Sequence, residues 1–480
     1  MNNETMKGGI IIIVISFATV VSTIEIDNLP DWVHLAQPRQ VHLALHEDAD
    51  SMRVDWVTFS PVTNSTPMVR YGQQQNTMDN VELGSTHIHR FGDITRYYHS
   101  AVMKHLAPLT TYYYQVGSDL GWTETYSFRT FDYSDSYKLK ICVFGDLGVR
   151  NGQAVPTLQK RVYENAFDLL IHVGDIAYDV FTDSGRRGDE YMEMIEPIAT
   201  KVPYMTIAGN HEWNTATKSF ARYGYMFHML NYPENNIPLL GNQYYSFEAG
   251  PIHFIGLSTE LYGFYYDMGF KQSIDQFLWL KKDLEAVDRN KTPWIVAYMH
   301  RPFYCSNINS YQCHAFENRL VRVGYFDMPG MEALLKKYKV DLIFAGHEHS
   351  YERSWPVFNY TVYMPNNDEP NPYRNAKAPV HVITGSAGCH TPHAAFKDPP
   401  VPSSAVRSLD YSYTLLQVLN RSTLQIDQVP IDPPSHSHLV DQFWMSKDGI
   451  RENMATISIL SSKLLIFVFT VFAKSLLNSY

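Results

Sequence analysis

The N-terminal part of the chain alternates apolar and polar positions over short runs that are separated by turn residues. Period-two alternation at this spacing predicts β-strands, and several such strands in succession are typical of a β-sandwich. We expect Trp56 to lie in the core of this sandwich, and the segment carries no catalytic constellation. The predicted strands are 41–45, 52–58, 68–71, 97–103, 111–116 and 125–128.

After Lys138 the pattern changes to apolar strands that alternate with amphipathic helices. This alternation predicts an α/β domain in which helices cover both faces of one sheet. Ligand sites in such sheets lie at the carboxyl ends of the strands, so the residues directly after each strand are the first candidates for function. The predicted strands are 140–144, 169–173, 204–208, 252–257, 294–299, 342–345 and 380–384, and the predicted helices are 188–199, 273–287 and 331–338.

Both ends of the chain carry an apolar stretch. Lys7, the apolar run 10–21 and the small residues after it have the pattern of a secretory signal peptide over residues 1–23, with a buried strand as the alternative. This pattern predicts a secreted, extracellular or lysosomal protein. The tail 456–473 is a candidate lipid-anchor signal or weak membrane span, and therefore a candidate membrane attachment, although Lys463 would be costly at mid-bilayer. An amphipathic terminal helix is the alternative.

Composition narrows the range of partners. The 480 residues include 39 Lys and Arg against 49 Asp and Glu, which leaves a formal net charge of −10. No basic run is present, so the sequence argues against polymeric nucleic acid as a partner. Nearly half of the residues are apolar, which is typical of a globular protein with sizeable cores.

Secretion would expose the chain to oxidation and glycosylation. Cys305 and Cys313 lie close together in a polar segment and are predicted to form a disulfide that closes one loop. Cys142 lies within an apolar strand pattern and is expected to be a buried thiol. The Asn-x-Ser/Thr triplets predict glycosylation at Asn64, Asn290, Asn359 and Asn420.

Five short motifs follow successive predicted strands. They are Gly145-Asp146-Leu147-Gly148, Gly174-Asp175-Ile176-Ala177-Tyr178, Gly209-Asn210-His211-Glu212, Tyr298-Met299-His300-Arg301-Pro302 and Gly346-His347-Glu348-His349. A single Gly-Asp pair at a strand end is usually an ordinary turn. The ordered set, however, delivers hard oxygen and imidazole donors to the same edge of one sheet. It therefore predicts a site for two cations of different character, bridged by one carboxylate.

Tyr178 indicates what one of these cations is. Phenolate is a hard anionic donor whose binding to a ferric ion strongly lowers its effective pKa, whereas a divalent ion would gain less from it. Tyr178 thus predicts a ferric site, and the alternative is an aromatic residue that only packs at the end of a strand.

These five motifs resemble the metal-binding blocks of purple acid phosphatases within the calcineurin-like metallophosphoesterases. The resemblance extends from about Gln37 to Lys447. It implies an N-terminal fibronectin III-like β-sandwich over 37–130 and an α/β metallophosphoesterase domain over 138–365. That domain would have a two-sheet β core flanked by helices, and residues 376–440 would form the C-terminal part of the catalytic domain.

The resemblance also implies how the ligands are divided. Carried over position by position, the ferric ligands are Asp146, Asp175, Tyr178 and His349, and the divalent-ion ligands are Asp175, Asn210, His300 and His347. Asp175 would bridge the two ions, and the second ion would be zinc, manganese or ferrous iron.

The implied activity is that of an acid phosphatase, which hydrolyses small phosphate monoesters by attack of a metal-bound hydroxide. His211 would protonate the leaving alkoxide, or would only orient its neighbours, and Asn210 and His211 are expected to contact the substrate. His314 and Tyr351 are further substrate-binding candidates, with an exposed loop histidine and a core aromatic as the respective alternatives.

Two other functions compete with this interpretation. A metallophosphodiesterase or nucleotide pyrophosphatase would use the same metals on diesters. A secreted, non-enzymatic binding protein would function through the sandwich, and its phosphatase domain would be an inactive relic. The complete set of seven donor residues argues against such a relic.

Overall fold

The computed structural model describes nine stretches of the chain: residues 35–61, 65–132, 138–230, 242–308, 316–365, 369–391, 393, 395–431 and 438–450. The predicted signal peptide 1–23 and the apolar tail 456–473 lie outside them. Across these stretches, no helix combines the length and apolar character needed to span a bilayer.

Two antiparallel sheets form the N-terminal part of the molecule, as the alternating pattern predicted. Their strands are β1 (Arg39–Leu45), β2 (Met52–Thr58), β3 (Met68–Gly72), β4 (Asn80–Leu83), β5 (Ser85–Phe91), β6 (Ile94–Met103), β7 (Thr111–Ser118), β8 (Gly121–Trp122) and β9 (Tyr126–Arg129). One sheet has the order β1-β2-β6-β5, and the other has the order β4-β3-β7-β8 with β9 also paired to β7. Trp56 is buried in the core, as expected.

The pattern did not reveal β4 and β5. Most residues of β4 are exposed, and those of β5 are exposed or half-buried. Both strands lie at the edges of their sheets, where few side chains enter the core, so no alternation marks them in the sequence.

The remainder of the described chain is built on two large sheets and not on the single sheet that the strand–helix alternation predicted. Its strands are β10 (Lys140–Phe144), β11 (Leu147–Gly148), β12 (Leu169–His172), β13 (Ile176–Ala177), β14 (Tyr204–Thr206), β15 (Tyr244–Ala249), β16 (Ile252–Leu257), β17 (Trp294–Met299), β18 (Gly324–Tyr325), β19 (Met328–Pro329), β20 (Leu342–Ala345), β21 (Tyr351–Ser354), β22 (Val357–Phe358), β23 (Thr361–Val362), β24 (Val380–Thr384), β25 (Ser404–Ser408), β26 (Ser412–Asn420), β27 (Thr423–Pro430) and β28 (Asp441–Ser446). Sheet I has the order β14-β12-β10-β26-β27-β28, and sheet II has the order β15-β16-β17-β20-β24-β21-β25.

Sheets I and II are joined where the ends of their central strands meet. The Gly145 N–H, just after β10, donates to the Thr384 carbonyl at the end of β24 over 2.9 Å. The Thr414 hydroxyl of β26 donates to the Thr384 hydroxyl over 2.9 Å. The single-sheet expectation is therefore wrong, whereas the two-sheet core that the resemblance implied is confirmed. The apolar runs identified β10, β12, β14, β16, β17, β20 and β24, whereas the other strands of the two sheets were not predicted. Strand partners are chosen by long-range packing.

Short and medium helices connect and cover these strands. They are α1 (Val155–Tyr163), α2 (Arg186–Ala199), α3 (Ala221–Met226), α4 (Glu260–Gly263), α5 (Tyr265–Met268), α6 (Lys271–Ala286), α7 (Phe316–Val323) and α8 (Glu332–Lys337), together with a 3₁₀ helix over Asn210–Glu212. The three predicted helices correspond to α2, α6 and α8, with ends that differ by one or two residues.

Helix α2 also fastens the sandwich to the larger part of the molecule. Its Glu196 accepts hydrogen bonds from the Gln40 N–H over 3.0 Å and from the Tyr126 hydroxyl over 2.8 Å. Tyr114 donates to the Thr200 carbonyl at the C-terminal end of the helix over 2.9 Å. These contacts fix the sandwich on the helix that follows the Tyr178 loop.

A buried cluster of charges lies in the same interface. Asp189 of α2 accepts from Arg96 Nε of β6 over 2.9 Å and from Arg222 Nη2 of α3 over 2.6 Å. All three side chains are buried or nearly so. Because removal of one partner leaves a buried charge unbalanced, Asp189 is expected to contribute strongly to stability.

We predict that Asp189→Asn lowers the free energy of unfolding by roughly 3–5 kcal/mol, because two buried guanidinium groups would then face an uncharged amide. The measurement is urea unfolding of the full chain, compared with wild type. Asp93→Asn is the matched control, since Asp93 pairs with Arg186 over 3.1 Å at the surface, where an ion pair contributes little to stability. Equal losses in the two variants would contradict the assignment.

Candidate metal centre

Loops from both sheets bring the predicted donor residues to one place. Asp146, Asp175 and Asn210 follow β10, β12 and β14 of sheet I. The imidazoles come from sheet II, where His300 follows β17 and the pair His347 and His349 follows β20. The motifs thus gather at the edges of two sheets that meet, and not at one sheet edge.

The backbone of these loops is strained. Asp146, Asp175, Tyr178 and His347 have φ values of 61°, 56°, 56° and 71°, in the left-handed region that non-glycine residues rarely adopt. Such conformations cost about 1–3 kcal/mol each and persist only where the surroundings enforce them. Four strained donors in one site indicate that the fold holds these side chains in a required geometry.

Glu212 holds two of the loops together. Its buried carboxylate accepts the Asp175 N–H over 2.9 Å, the Ile176 N–H over 2.8 Å and the Gly209 N–H over 2.7 Å. Three backbone donors on one carboxylate connect the loop after β12 to the 3₁₀ helix that carries Asn210.

The first donor cluster surrounds the ring of His300. Its Nε2 atom lies 3.1 Å from Asn210 Oδ1, 3.2 Å from Asp175 Oδ1 and 3.2 Å from His347 Nδ1. Its Nδ1 atom lies 2.9 Å from the Val173 carbonyl, which places the proton on Nδ1 and leaves the Nε2 lone pair facing the other donors. Oxygen and nitrogen atoms whose lone pairs converge in this way are suited to bind a divalent cation.

The charges of this cluster also fit a cation. Burial opposes a charged imidazole at His300, but Asp175 outweighs it and raises the His300 pKa to about 10. Burial, Arg301 and His300 hold the pKa of His347 well below its usual range, which favours the neutral imidazole that a metal site requires. The raised pKa of His300 shows that Asp175 favours positive charge at this position, which a bound metal ion would supply.

The second donor cluster combines a phenol, an imidazole and a carboxylate. Tyr178 Oη lies 2.7 Å from His349 Nε2, and the Tyr178 hydroxyl donates to Asp146 Oδ1 over 3.3 Å. His349 Nε2 is 3.5 Å from the same carboxylate oxygen. These three atoms lie within reach of a single cation.

Tyr178 ionises only if positive charge is supplied. Burial and the negative charges of Asp146 and Asp175 raise the pKa of Tyr178 well above its usual value. A strongly charged cation would reverse this effect, because it stabilises the phenolate. The negative charge of Asp175 thus acts on the second cluster as well as on the first, which fits a bridging ligand.

His211 lies beside both clusters without belonging to either. Its Nδ1 atom is 2.8 Å from Asp179 Oδ1, and its Nε2 atom is 3.9 Å from Asp175 Oδ2. Burial disfavours the charged ring, but Asp175 and the hydrogen bond to Asp179 raise the His211 pKa to about 9. His211 is therefore an imidazolium that remains partly exposed, at 31% of its side chain.

Tyr351 is not brought to the site. It is fully buried in β21, and its hydroxyl donates to Asp441 Oδ2 of β28 over 2.7 Å. Tyr351 is therefore a core aromatic residue, which was the alternative to a residue that lines the substrate pocket. Its hydroxyl is hydrogen-bonded to a carboxylate of sheet I.

The remaining predicted positions are one histidine, three cysteines and four asparagines. His314, Cys313 and Asn64 fall outside the described residues. Cys305 is disulfide-bonded, and its pairing with Cys313 stays a prediction. Asn290, Asn359 and Asn420 are exposed, as glycosylation acceptors must be. Cys142 is a buried free thiol, as expected.

The sequence did not single out Asp179, Cys389 and Thr391. Asp179 directly follows Tyr178, so its position in the motif was an available signal. Cys389 Sγ and Thr391 Oγ1 lie 3.1 and 3.0 Å from His349 Nδ1, after β24. No spacing links them to the His347 motif, because only the pairing of strands brings the loop there.

Three family models match the chain. "Purple acid Phosphatase, N-terminal domain" matches residues 38–130, "Calcineurin-like phosphoesterase" matches 139–351, and "Iron/zinc purple acid phosphatase-like protein C" matches 378–433. In addition, a solved purple acid phosphatase from yellow lupin seeds covers 86% of this chain and 75% of its own, with a TM-score of 0.72 and 24% identity. That likeness shows the fold.

Relatives of similar length support the same assignment. Acid phosphatase type 7 of Danio rerio is 37% identical over 86% of this chain and 92% of its own length. The protein of the same name from Homo sapiens is 38% identical over 85% and 91%. Purple acid phosphatase 15 of Arabidopsis thaliana is 31% identical over 73% and 68%. With a donor set that indicates a dinuclear metal centre, this chain belongs to the purple acid phosphatase family.

Proposed function

We propose that this chain is an acid phosphatase that hydrolyses phosphate monoesters at a centre of one ferric and one divalent ion. The observation that carries the proposal is the presence of two adjoining donor clusters, one around Asp175 and the other containing the buried phenol of Tyr178. They are joined where the His347 N–H donates to Asp146 Oδ2 over 2.9 Å. The names of the relatives, acid phosphatase type 7 and purple acid phosphatase, support the same reaction.

The types of donor group differ between the two clusters, and each set suits a different ion. Phenol, carboxylate and imidazole in the Tyr178 cluster suit a hard trivalent ion, and the amide, carboxylate and two imidazoles around His300 suit zinc, manganese or ferrous iron. Such a pair of ions, when bound, holds a phosphate group and makes water nucleophilic at acidic pH.

The chain's own residues handle the leaving group. The raised pKa of His211 keeps its ring protonated at the mouth of the site, where it can donate a proton to a departing alkoxide. Asp179 accepts from Nδ1, which leaves Nε2–H directed toward the side of Asp175. Asp179 is thus the residue that orients the acid.

The location of the protein forms part of the proposal. The signal pattern over 1–23, the exposed acceptor asparagines and the disulfide at Cys305 all favour a secreted or lysosomal enzyme. N-terminal sequencing of protein released by a eukaryotic host tests this directly. A mature chain that still begins at Met1 and stays inside the cell would contradict it.

We expect the purified wild-type protein to hold one iron and one divalent ion per chain and to show a visible tyrosinate-to-ferric absorption band. Tyr178→Phe should abolish the band, because it removes the phenolate donor. Tyr351→Phe is the matched control, since Tyr351 is an equally buried tyrosine bonded to Asp441, and should keep the band.

A colourless wild type that contains two divalent ions would refute the ferric assignment. Well-folded protein without bound metal would instead favour the non-enzymatic binding function.

His211→Ala should lower kcat for alkyl phosphate monoesters by about 10²–10⁴-fold, because the alkoxide then departs without a proton. The loss for p-nitrophenyl phosphate should be much smaller, since p-nitrophenolate is a stable leaving group. His105→Ala, at an exposed histidine of the sandwich, should leave both rates unchanged.

Equal losses for the two esters would show that His211 only positions its neighbours. The same assay with bis(p-nitrophenyl) phosphate tests the substrate class, and a preference for the diester would favour the phosphodiesterase alternative.

A further inference from the structure

The loop after β24 approaches His349 from the side opposite its metal-facing nitrogen. Cys389 Sγ lies 3.1 Å from His349 Nδ1, and Thr391 Oγ1 lies 3.0 Å from the same atom. The two groups also contact each other over 3.2 Å. The imidazole is therefore held between this sulfur–hydroxyl pair and the Tyr178 cluster.

Cys389 is a free thiol that is almost fully buried, with 2% of its surface exposed. Its backbone is fixed from the other side, because Asn151 Nδ2 donates to the Cys389 carbonyl over 2.6 Å. Gly388 adopts a φ of 119°, and a Cβ atom there would lie 2.4 Å from the Asn151 carbonyl oxygen. Residue 388 must therefore be glycine if the loop is to hold the Cys389 sulfur in this position.

The same sulfur is linked to Tyr178 through His349, whose Nε2 atom lies 2.7 Å from Tyr178 Oη. Gly148 makes the close packing possible, since a Cβ atom there would lie 3.2 Å from the Tyr178 ring and 3.5 Å from Cys389 Cα. Cys389 thus contacts His349 directly and lies close to Tyr178, the other donor in this part of the second cluster.

A histidine ligand presents its lone pair from one nitrogen only when the other nitrogen carries the proton. At His300 a backbone carbonyl determines which nitrogen carries the proton. At His349 the partners of Nδ1 are instead the polarisable sulfur of Cys389 and the hydroxyl of Thr391. In the tautomer with the proton on Nδ1, this single N–H can be shared between the sulfur and the hydroxyl, and the two groups together fix the plane of the ring.

We propose that Cys389, assisted by Thr391, is a positioning residue that orients His349 and Tyr178 toward the ferric ion. This inference rests on the proposed function, since it requires iron bound at Tyr178. The sulfur acts through the two ligands and is not itself needed to hold the ion.

The test uses the full chain from a eukaryotic host, loaded with iron and a divalent ion. In Cys389→Ala we expect a shifted tyrosinate-to-ferric band and iron loss to a chelator that is roughly tenfold faster than in wild type. Thr391→Val should have a smaller effect, and the double variant should lose iron about 100-fold faster. Cys389→Ser should restore part of the difference, because its hydroxyl again faces Nδ1.

Cys142→Ala is the matched control, because Cys142 is the other buried free thiol among the described residues and lies within strand β10. Its band and its rate of iron loss should equal those of wild type. A Cys389→Ala variant with wild-type band and rate would overturn the inference. A variant that binds no iron at saturating concentration would also overturn it, because the sulfur would then be a ligand.

Measurements on the wild-type protein distinguish failure of the positioning role from failure of the proposed function. If wild type shows the ferric band while Cys389→Ala matches it, only the positioning role fails. If wild type has no ferric band, the proposed function fails first and the positioning role falls with it.

Discussion

Asp175 is the group on which the rest of the site depends. Its carboxylate is buried, yet His300 and His211 hold its pKa well below the usual range against the effect of burial. An isolated buried carboxylate would be strongly destabilising, so the surroundings must supply positive charge. The imidazoles of His211, His300 and His347, from three different loops, lie near it. A pair of cations would balance its charge together with that of Asp146.

The scaffold accounts for how such a concentration of charge is tolerated. Strained loops after strands of two different sheets are tied together by Glu212, which accepts three backbone N–H groups. The helix that follows the Tyr178 loop is bonded in turn to the sandwich through Glu196 and Asp189. The sandwich carries none of the proposed ligands, but it packs against the segment that positions one of them.

The strand pattern revealed some of the strands whose side chains enter a core, but it missed others, such as β15, β21 and β26. Alternation revealed β2 and β6, and continuous apolar runs revealed β10 and β17, because these side chains enter cores. The edge strands β4 and β5 left no such pattern. The number of sheets was predicted wrongly from the alternation alone, because a parallel strand looks the same in sequence whichever neighbour it pairs with.

By itself, the sequence determined the chemical types and the order of the donors, from Asp146 to His349, since each lies in a short motif at the end of an apolar run. Only the tertiary structure decided that the imidazoles come from a second sheet, that Tyr351 belongs to the core, and that Cys389 lies against His349. The physical reason is that a motif records contacts between neighbours along the chain. Contacts between loops arise only when distant strands, such as β10 and β26, pair and bring their ends together.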